Sequence, residues 1–281
     1  MPTDREAAEV AEANGTGRQP VVFIHGLWLL AGSWDPWRQL FEDRGFATLA
    51  PGWPDDPATV EEARQHPDVL AGKTVGQVTE HHAGIIRQLT RKPIVIGHSL
   101  GGLITQKLAG MSLAAGSVAI DPAPFRGVLP LPRSALKAAS PVLRRPGNRK
   151  LAIELTYNQF RFAFANAVDE AEARRLYDTH SVAAPGAPLF QAAFANLNPR
   201  TEASVDTKQA DRGPLLILSG AKDNTVPWTI ANASFKRYKL LAASTRIVEI
   251  QQRGHSLTID SGWPAVADAA LDFLDRHVTP R

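Results

Sequence analysis

Ser99 lies in the run Gly97-His98-Ser99-Leu100-Gly101, a hydroxyl with a glycine two residues away on each side. A serine alone is a poor nucleophile. It needs a base to take its proton and an acid to orient that base. Two later runs offer them: Gly220-Ala-Lys-Asp223-Asn-Thr-Val-Pro227 and Gly254-His255-Ser256. The chemistry of such a set is acyl transfer. Ser99 would attack, and His255 would act first as general base and then as general acid. Asp223 would hold the imidazole. Asp121, at the end of Val118-Ala-Ile-Asp121, is the alternative acid.

These residues are useful only if elements bring them together. Pro93-Ile-Val-Ile-Gly97 is a short apolar, β-branched run, and Leu100 to Ala109 has a helical pattern. Ser99 therefore falls on a sharp strand-to-helix turn, where side chains in place of Gly97 and Gly101 would clash with neighbouring backbone. The same turn aims a helix N-terminus, with its free N–H groups, at the hydroxyl. Leu215–Ser219 and Thr245–Ile250 read as strands, and Asp223 and His255 follow just past their ends. Sites in parallel sheets gather at the carboxyl ends of strands, so the three can converge.

Further strands are expected at Pro20–Ile24, Ala47–Ala50 and 117–121. Helices are expected at Trp34–Arg44, Val75–Leu89 and Trp263–His277. Strands alternating with helices predict an α/β fold, a mainly parallel sheet covered on both faces. Residues 122–213 are too long for a simple crossover. They open Pro-rich and continue with helical patterns at about 150–165, 169–179 and 188–196. They emerge at the strand ends and are expected to form a helical cap over the site. The organisation read from this is a disordered segment at 1–18, a core of 19–121 and 214–281, and a cap of 122–213.

With 281 residues, of which 44% are hydrophobic, the chain can bury a single large core. The formal charge is only +3, so nucleic acid is not an expected partner. The densest basic cluster, Arg144-Arg145 and Arg149-Lys150, reads as solvated surface. There is no cysteine, which excludes disulfides and cysteine-bound zinc. Residues 1–18 have no signal-peptide core, and no run approaches the length of a membrane span. The expectation is a cytoplasmic protein without an integral membrane segment. Nothing in the sequence sets an oligomeric state.

The runs together resemble the α/β-hydrolase superfamily of capped serine hydrolases, esterases and lipases among them. The resemblance rests on His25-Gly26 after the first strand, Gly97-His-Ser-Leu-Gly-Gly102, Gly220-x-x-Asp223-x-x-Val-Pro227 and Gly254-His255. It spans residue 20 to about 277, with the family's order of serine, acid and histidine. It implies an oxyanion hole from the N–H groups of Leu100 and Leu27, with Trp28 as the other choice for the second donor. His25 would brace that loop. It implies a small-molecule substrate, an apolar carboxylic ester or a lactone, with no cofactor and no metal. His81 and His82, adjacent on a helix, point apart and are poor joint ligands. Many members carry two strands before the one ending in His-Gly. Only 19 residues precede Pro20, so a sheet of six parallel strands without that antiparallel pair is expected.

The expected pocket walls are Trp28, His98, Phe160 and Phe164. Trp34, Trp37, Trp53 and Trp228 are weaker candidates, since large aromatics usually fill cores. The other functions open to the same fold are a cofactor-free perhydrolase or haloperoxidase, a C–C hydrolase, a dioxygenase, or a ligand-binding receptor that retains the triad. Epoxide hydrolase and dehalogenase are disfavoured, because Ser99 stands where those relatives carry an aspartate.

Overall fold

The computed structural model describes residues 2–278. Its elements, in chain order, are α1 (Asp4–Thr16), β1 (Pro20–Ile24), α2 (Asp35–Asp43), β2 (Ala47–Leu49), α3 (Val60–Gln65), α4 (Val75–Ile86), β3 (Ile94–His98), α5 (Leu100–Gly110) and β4 (Gly116–Ile120). There follow α6 (Arg133–Leu143), β5 (Ala152–Ile153), α7 (Tyr157–Ala163), α8 (Glu170–His180), β6 (Ala184–Pro185) and α9 (Ala187–Ala193). The chain closes with β7 (Leu215–Gly220), α10 (Trp228–Lys236), β8 (Thr245–Ile250) and α11 (Trp263–His277).

Six strands form one parallel sheet in the order β2-β1-β3-β4-β7-β8. Among the described residues no strand precedes β1. The central strands β1, β3, β4 and β7 are buried along their whole length because both faces are covered, whereas the edge strand β8 carries Arg246 and Glu249 and is partly exposed. Val22, Ile24, Val95 and Ile217 face a core shared with α4, α5 and α10. Val21, Phe23, Ile96 and Leu218 face another, shared with α2 and α11. Trp34 and Trp37 pack with Phe23 in that second core, away from the site.

The N-terminal segment corrects the expectation of disorder at 1–18. Residues 4–16 form α1, which packs on β2. A capping box starts it: Thr3 Oγ1 accepts from Glu6 N–H, and the Glu6 carboxylate accepts from Thr3 N–H. Glu6, Val10 and Ala13 lie on one face at helical spacing and are buried. Glu6 pairs with His81 of α4 at 3.0 Å. Burial pushes its carboxyl up, but the bonds from His81 and Thr3 prevail and hold it down at about 2.

Between β4 and β7 the chain forms α6 to α9 and a small antiparallel ribbon of β5 with β6. The sequence pattern misses α6, which starts directly after the Pro-rich stretch and carries Pro141 inside it. Two sets of bonds tie this insertion to the sheet's C-terminal edge. Trp28, in the loop after β1, donates from Nε1 to the Ile153 carbonyl at 3.0 Å and accepts at its own carbonyl from Val182 N–H. Asn224 and Thr225, in the loop after β7, donate to the Phe162 and Ala163 carbonyls. Among the described residues no helix is long and apolar enough to cross a membrane.

Candidate active site

Ser99 is held by the turn its glycines permit. Its backbone is in a left-handed conformation with φ 56° and ψ −117°, a strained state for a residue with a side chain. A Cβ on Gly97 would strike the Gly101 carbonyl and Thr105, and one on Gly101 would strike the Ile24 carbonyl of β1. Only glycine lets β1, β3 and α5 approach this closely. α5 begins at Leu100, so its N-terminus lies beside the hydroxyl.

The structure brings Ser99, His255 and Asp223 into one line. With its proton on Nδ1, His255 donates to Asp223 Oδ2 at 2.6 Å and accepts at Nε2 from Ser99 Oγ at 2.9 Å. The other Asp223 oxygen accepts from the N–H groups of Thr225 and Val226, at 2.6 and 2.9 Å, which fixes the carboxylate. All three residues are buried. Asp121 stands behind them, its Oδ2 3.9 Å from His255 Nδ1 and its Oδ1 accepting from Gly220 N–H. Burial, then the charge of Asp223, pushes the Asp121 carboxyl well above the usual carboxylate range.

Leu27 and Leu100 line a cavity of about 190 Å³ that reaches Ser99, and their N–H groups have no acceptor among the described residues. His25 stays in its loop. It meets the Gly26 carbonyl and Asp56, each at 2.9 Å, and stacks on Trp53. Asp56 also accepts from Trp53 N–H, so the carboxylate ties the loop after β1 to the loop after β2.

Of the four expected pocket walls, Trp28 lines the cavity. The other three do not. The Phe164 ring packs 4.8 Å from His255, Phe160 stacks on Phe164 at 5.0 Å, and the His98 ring lies 4.6 Å from His255. They back the histidine rather than face the cavity. Its walls are instead Ala135, Ala138 and Ala139 of α6, Leu189, Ala192 and Ala193 of α9, and Val226 and Ile230 beyond β7. Alanines carry no sequence signal for a pocket, whereas an aromatic is large enough to bury itself.

His98, Asp121 and His255 bring three donor atoms within 4.8 Å of one another, a set that could hold a metal ion. His255 already uses both ring nitrogens on Ser99 and Asp223, so ligation would break that chain. Burial, then the neighbouring His255, holds His98 well below the ordinary histidine range, so it is neutral.

A parallel sheet with a serine at the β3–α5 turn, an aspartate after β7 and a histidine after β8 defines an α/β hydrolase. The chain belongs to the alpha/beta hydrolase family, whose model matches residues 21–269. Among solved structures it is similar to the monoacylglycerol lipase of Paleococcus ferrophilus, with a TM-score of 0.64 and 21% identity over 92% of this chain and 94% of that one. It is similar to an extracellular alpha/beta-hydrolase from a Paenibacillus species (TM-score 0.67, 20% identity, 90% of this chain and 98% of that one). It also resembles a putative non-heme bromoperoxidase from Mycobacterium tuberculosis (TM-score 0.66, 20% identity, 93% of each chain). No curated protein sequence matches it.

Proposed function

We propose that the protein hydrolyses a carboxylic ester, or a lactone, with an apolar acyl or alcohol part, through an acyl-enzyme on Ser99. The observation that carries this reading is the unbroken Ser99–His255–Asp223 hydrogen-bond chain opening onto a cavity with no charged residue in its walls. His255 takes the Ser99 proton as the hydroxyl attacks the carbonyl. The oxyanion that forms is met by the N–H groups of Leu27 and Leu100. One such donor is worth about 3 kcal/mol to the transition state. His255 then gives its proton to the leaving alcohol. Water follows by the same route and frees the acid. Residues 122–213 act as the cap that shuts bulk water from this step.

The test is a fluorophosphonate probe together with p-nitrophenyl esters. The probe is expected to label Ser99 alone, and only in folded protein. Ser99→Ala should lower ester turnover on the order of 10⁶-fold. Turnover that survives this substitution would move the reading to chemistry run by the His–Asp pair, such as a dioxygenase. Tight binding without turnover in the native protein would make it a receptor. A perhydrolase would keep the dependence on Ser99 and prefer peroxide to water.

A further inference from the structure

The mouth of the Ser99 cavity carries side chains that hydrolysis by itself does not use. Leu131, Leu136 and Phe194 line the cavity and also reach solvent, and beside them Leu129 and Leu197 are 76% and 80% exposed. Asn196 gathers these into one patch. Its side chain accepts from Gly127 N–H at 2.7 Å and donates to the Val128 carbonyl at 2.8 Å. The loop bearing Leu129 and Leu131 therefore lies against the turn bearing Phe194 and Leu197. Large apolar side chains grouped in water, rather than scattered, mark a contact surface.

Charge says what the contact is with. From Pro122 to Ile153 the chain has seven lysines or arginines and no aspartate or glutamate, while the rest of the chain is net acidic. None of the seven forms an ion pair with a described carboxylate. Arg133, Leu136 and Lys137 of α6, with Arg144 at its C-cap, share the outer face, opposite the buried Ala135, Ala138 and Val142. Arg149 and Lys150 border a shallow depression that also reaches Phe194. Exposed apolar side chains beside a cation-rich, carboxylate-free segment suit a surface that is apolar inside and anionic at its face, as an acidic bilayer is. A second copy of this chain fits poorly, because a two-fold contact would set the same cations against each other.

We propose that this outer face docks on an anionic lipid bilayer, and that the apolar chain of the ester enters the Ser99 cavity from it. The second half rests on the ester-hydrolase reading; the docking does not. The experiment therefore separates them. Full-length Ser99→Ala protein, which leaves lipid intact, is sedimented with vesicles of phosphatidylcholine alone and of an equal mixture with phosphatidylglycerol. Binding is expected to the mixed vesicles only, and added salt should release it, a readout that needs no further substitution. Arg144→Gln and Lys150→Gln should each weaken it about fivefold. Leu129→Ser with Leu197→Ser should weaken it at least about tenfold. In the Ser99 background that leucine pair should leave p-nitrophenyl acetate turnover unchanged, since neither residue lines the cavity. The docking proposal falls if the mixed vesicles are not bound, if both vesicle types bind equally, or if binding ignores the leucine pair. A dimer in solution that Leu129→Ser dissociates would assign the face to a second copy and overturn it too. Loss of ester turnover in native protein would instead sink the hydrolase reading and leave the docking standing.

Discussion

Asp223 and Asp121 both approach Nδ1 of His255, at 2.6 and 3.9 Å. The shorter contact is a charge-assisted hydrogen bond and the longer one is not. Asp223→Asn should lower kcat/KM by about 10⁴-fold, because an amide favours the wrong tautomer and cannot stabilise the imidazolium. Asp121→Asn should cost far less. Its carboxyl is pushed up by burial and then by the charge of Asp223, and its Oδ2 lies 3.9 Å from the ring nitrogen, so the amide removes no hydrogen bond to His255. Kinetics on p-nitrophenyl esters decide it, with circular dichroism confirming that both variants fold; a worse Asp121→Asn would exchange the roles. The sequence marks both aspartates as following strand ends. It cannot rank them, because β4 and β7 are neighbours and both carry their aspartates to the same edge. What separates the two is the loop after Asp223, whose Thr225 and Val226 N–H groups turn the carboxylate toward the ring.

At the scale of elements, α4 holds a histidine that no reaction uses. His82 is fully buried, donates from Nδ1 to the Val78 carbonyl at 2.9 Å, and is held down at about 3 by burial. The unfolded chain takes up a proton there near pH 6.5, and the folded chain does not. Its stabilising effect is therefore complete above about pH 6.5 and is lost as pH falls toward 3. The melting temperature should fall between pH 6.5 and 4.5. His82→Asn, which keeps a donor but does not titrate, should reduce that fall by up to about 5 °C. Glu6, held at about 2, destabilises only below its unfolded value of 4.5, outside that window. His98 shifts the same way as His82 and Asp121 the opposite way, and both are common to the two proteins. Identical pH slopes would remove His82 as a cause. The long periodic elements were legible: α4, α11 and all six sheet strands follow directly from their patterns. α1 was not: it carries a Thr3-x-x-Glu6 capping signature, but the charged, alanine-rich segment hides the short stripe of Val10 and Ala13 and reads as disorder. α6 was hidden by Pro130 and Pro132 just before its start and by Pro141 inside it.

At the scale of the molecule, under the proposed mechanism the sheet would present the same three residues to every ester, and selectivity would come from the walls that the insertion supplies. The aromatic residues of that insertion drew attention in the sequence, yet Phe160 is fully buried, stacked on Phe164 and edge-on to Tyr177. The cavity walls are the alanines of α6 and α9, whose small size is what leaves the space open. Two substitutions should therefore part in opposite directions. Phe160→Ala opens a hole in packed interior and should cost about 3–5 kcal/mol of stability, with little change in relative kcat/KM across ester lengths. Ala139→Leu fills the cavity from one wall and should leave the melting temperature near that of the native protein. It should shift preference from long toward short acyl chains by about 1–3 kcal/mol, the range of a methylene-sized mismatch in an apolar pocket. The measurement is kcat/KM for p-nitrophenyl esters of increasing chain length, set beside thermal melts. If Phe160→Ala moves selectivity and Ala139→Leu does not, the acyl chain runs along the aromatic stack beside His255 and not between α6 and α9.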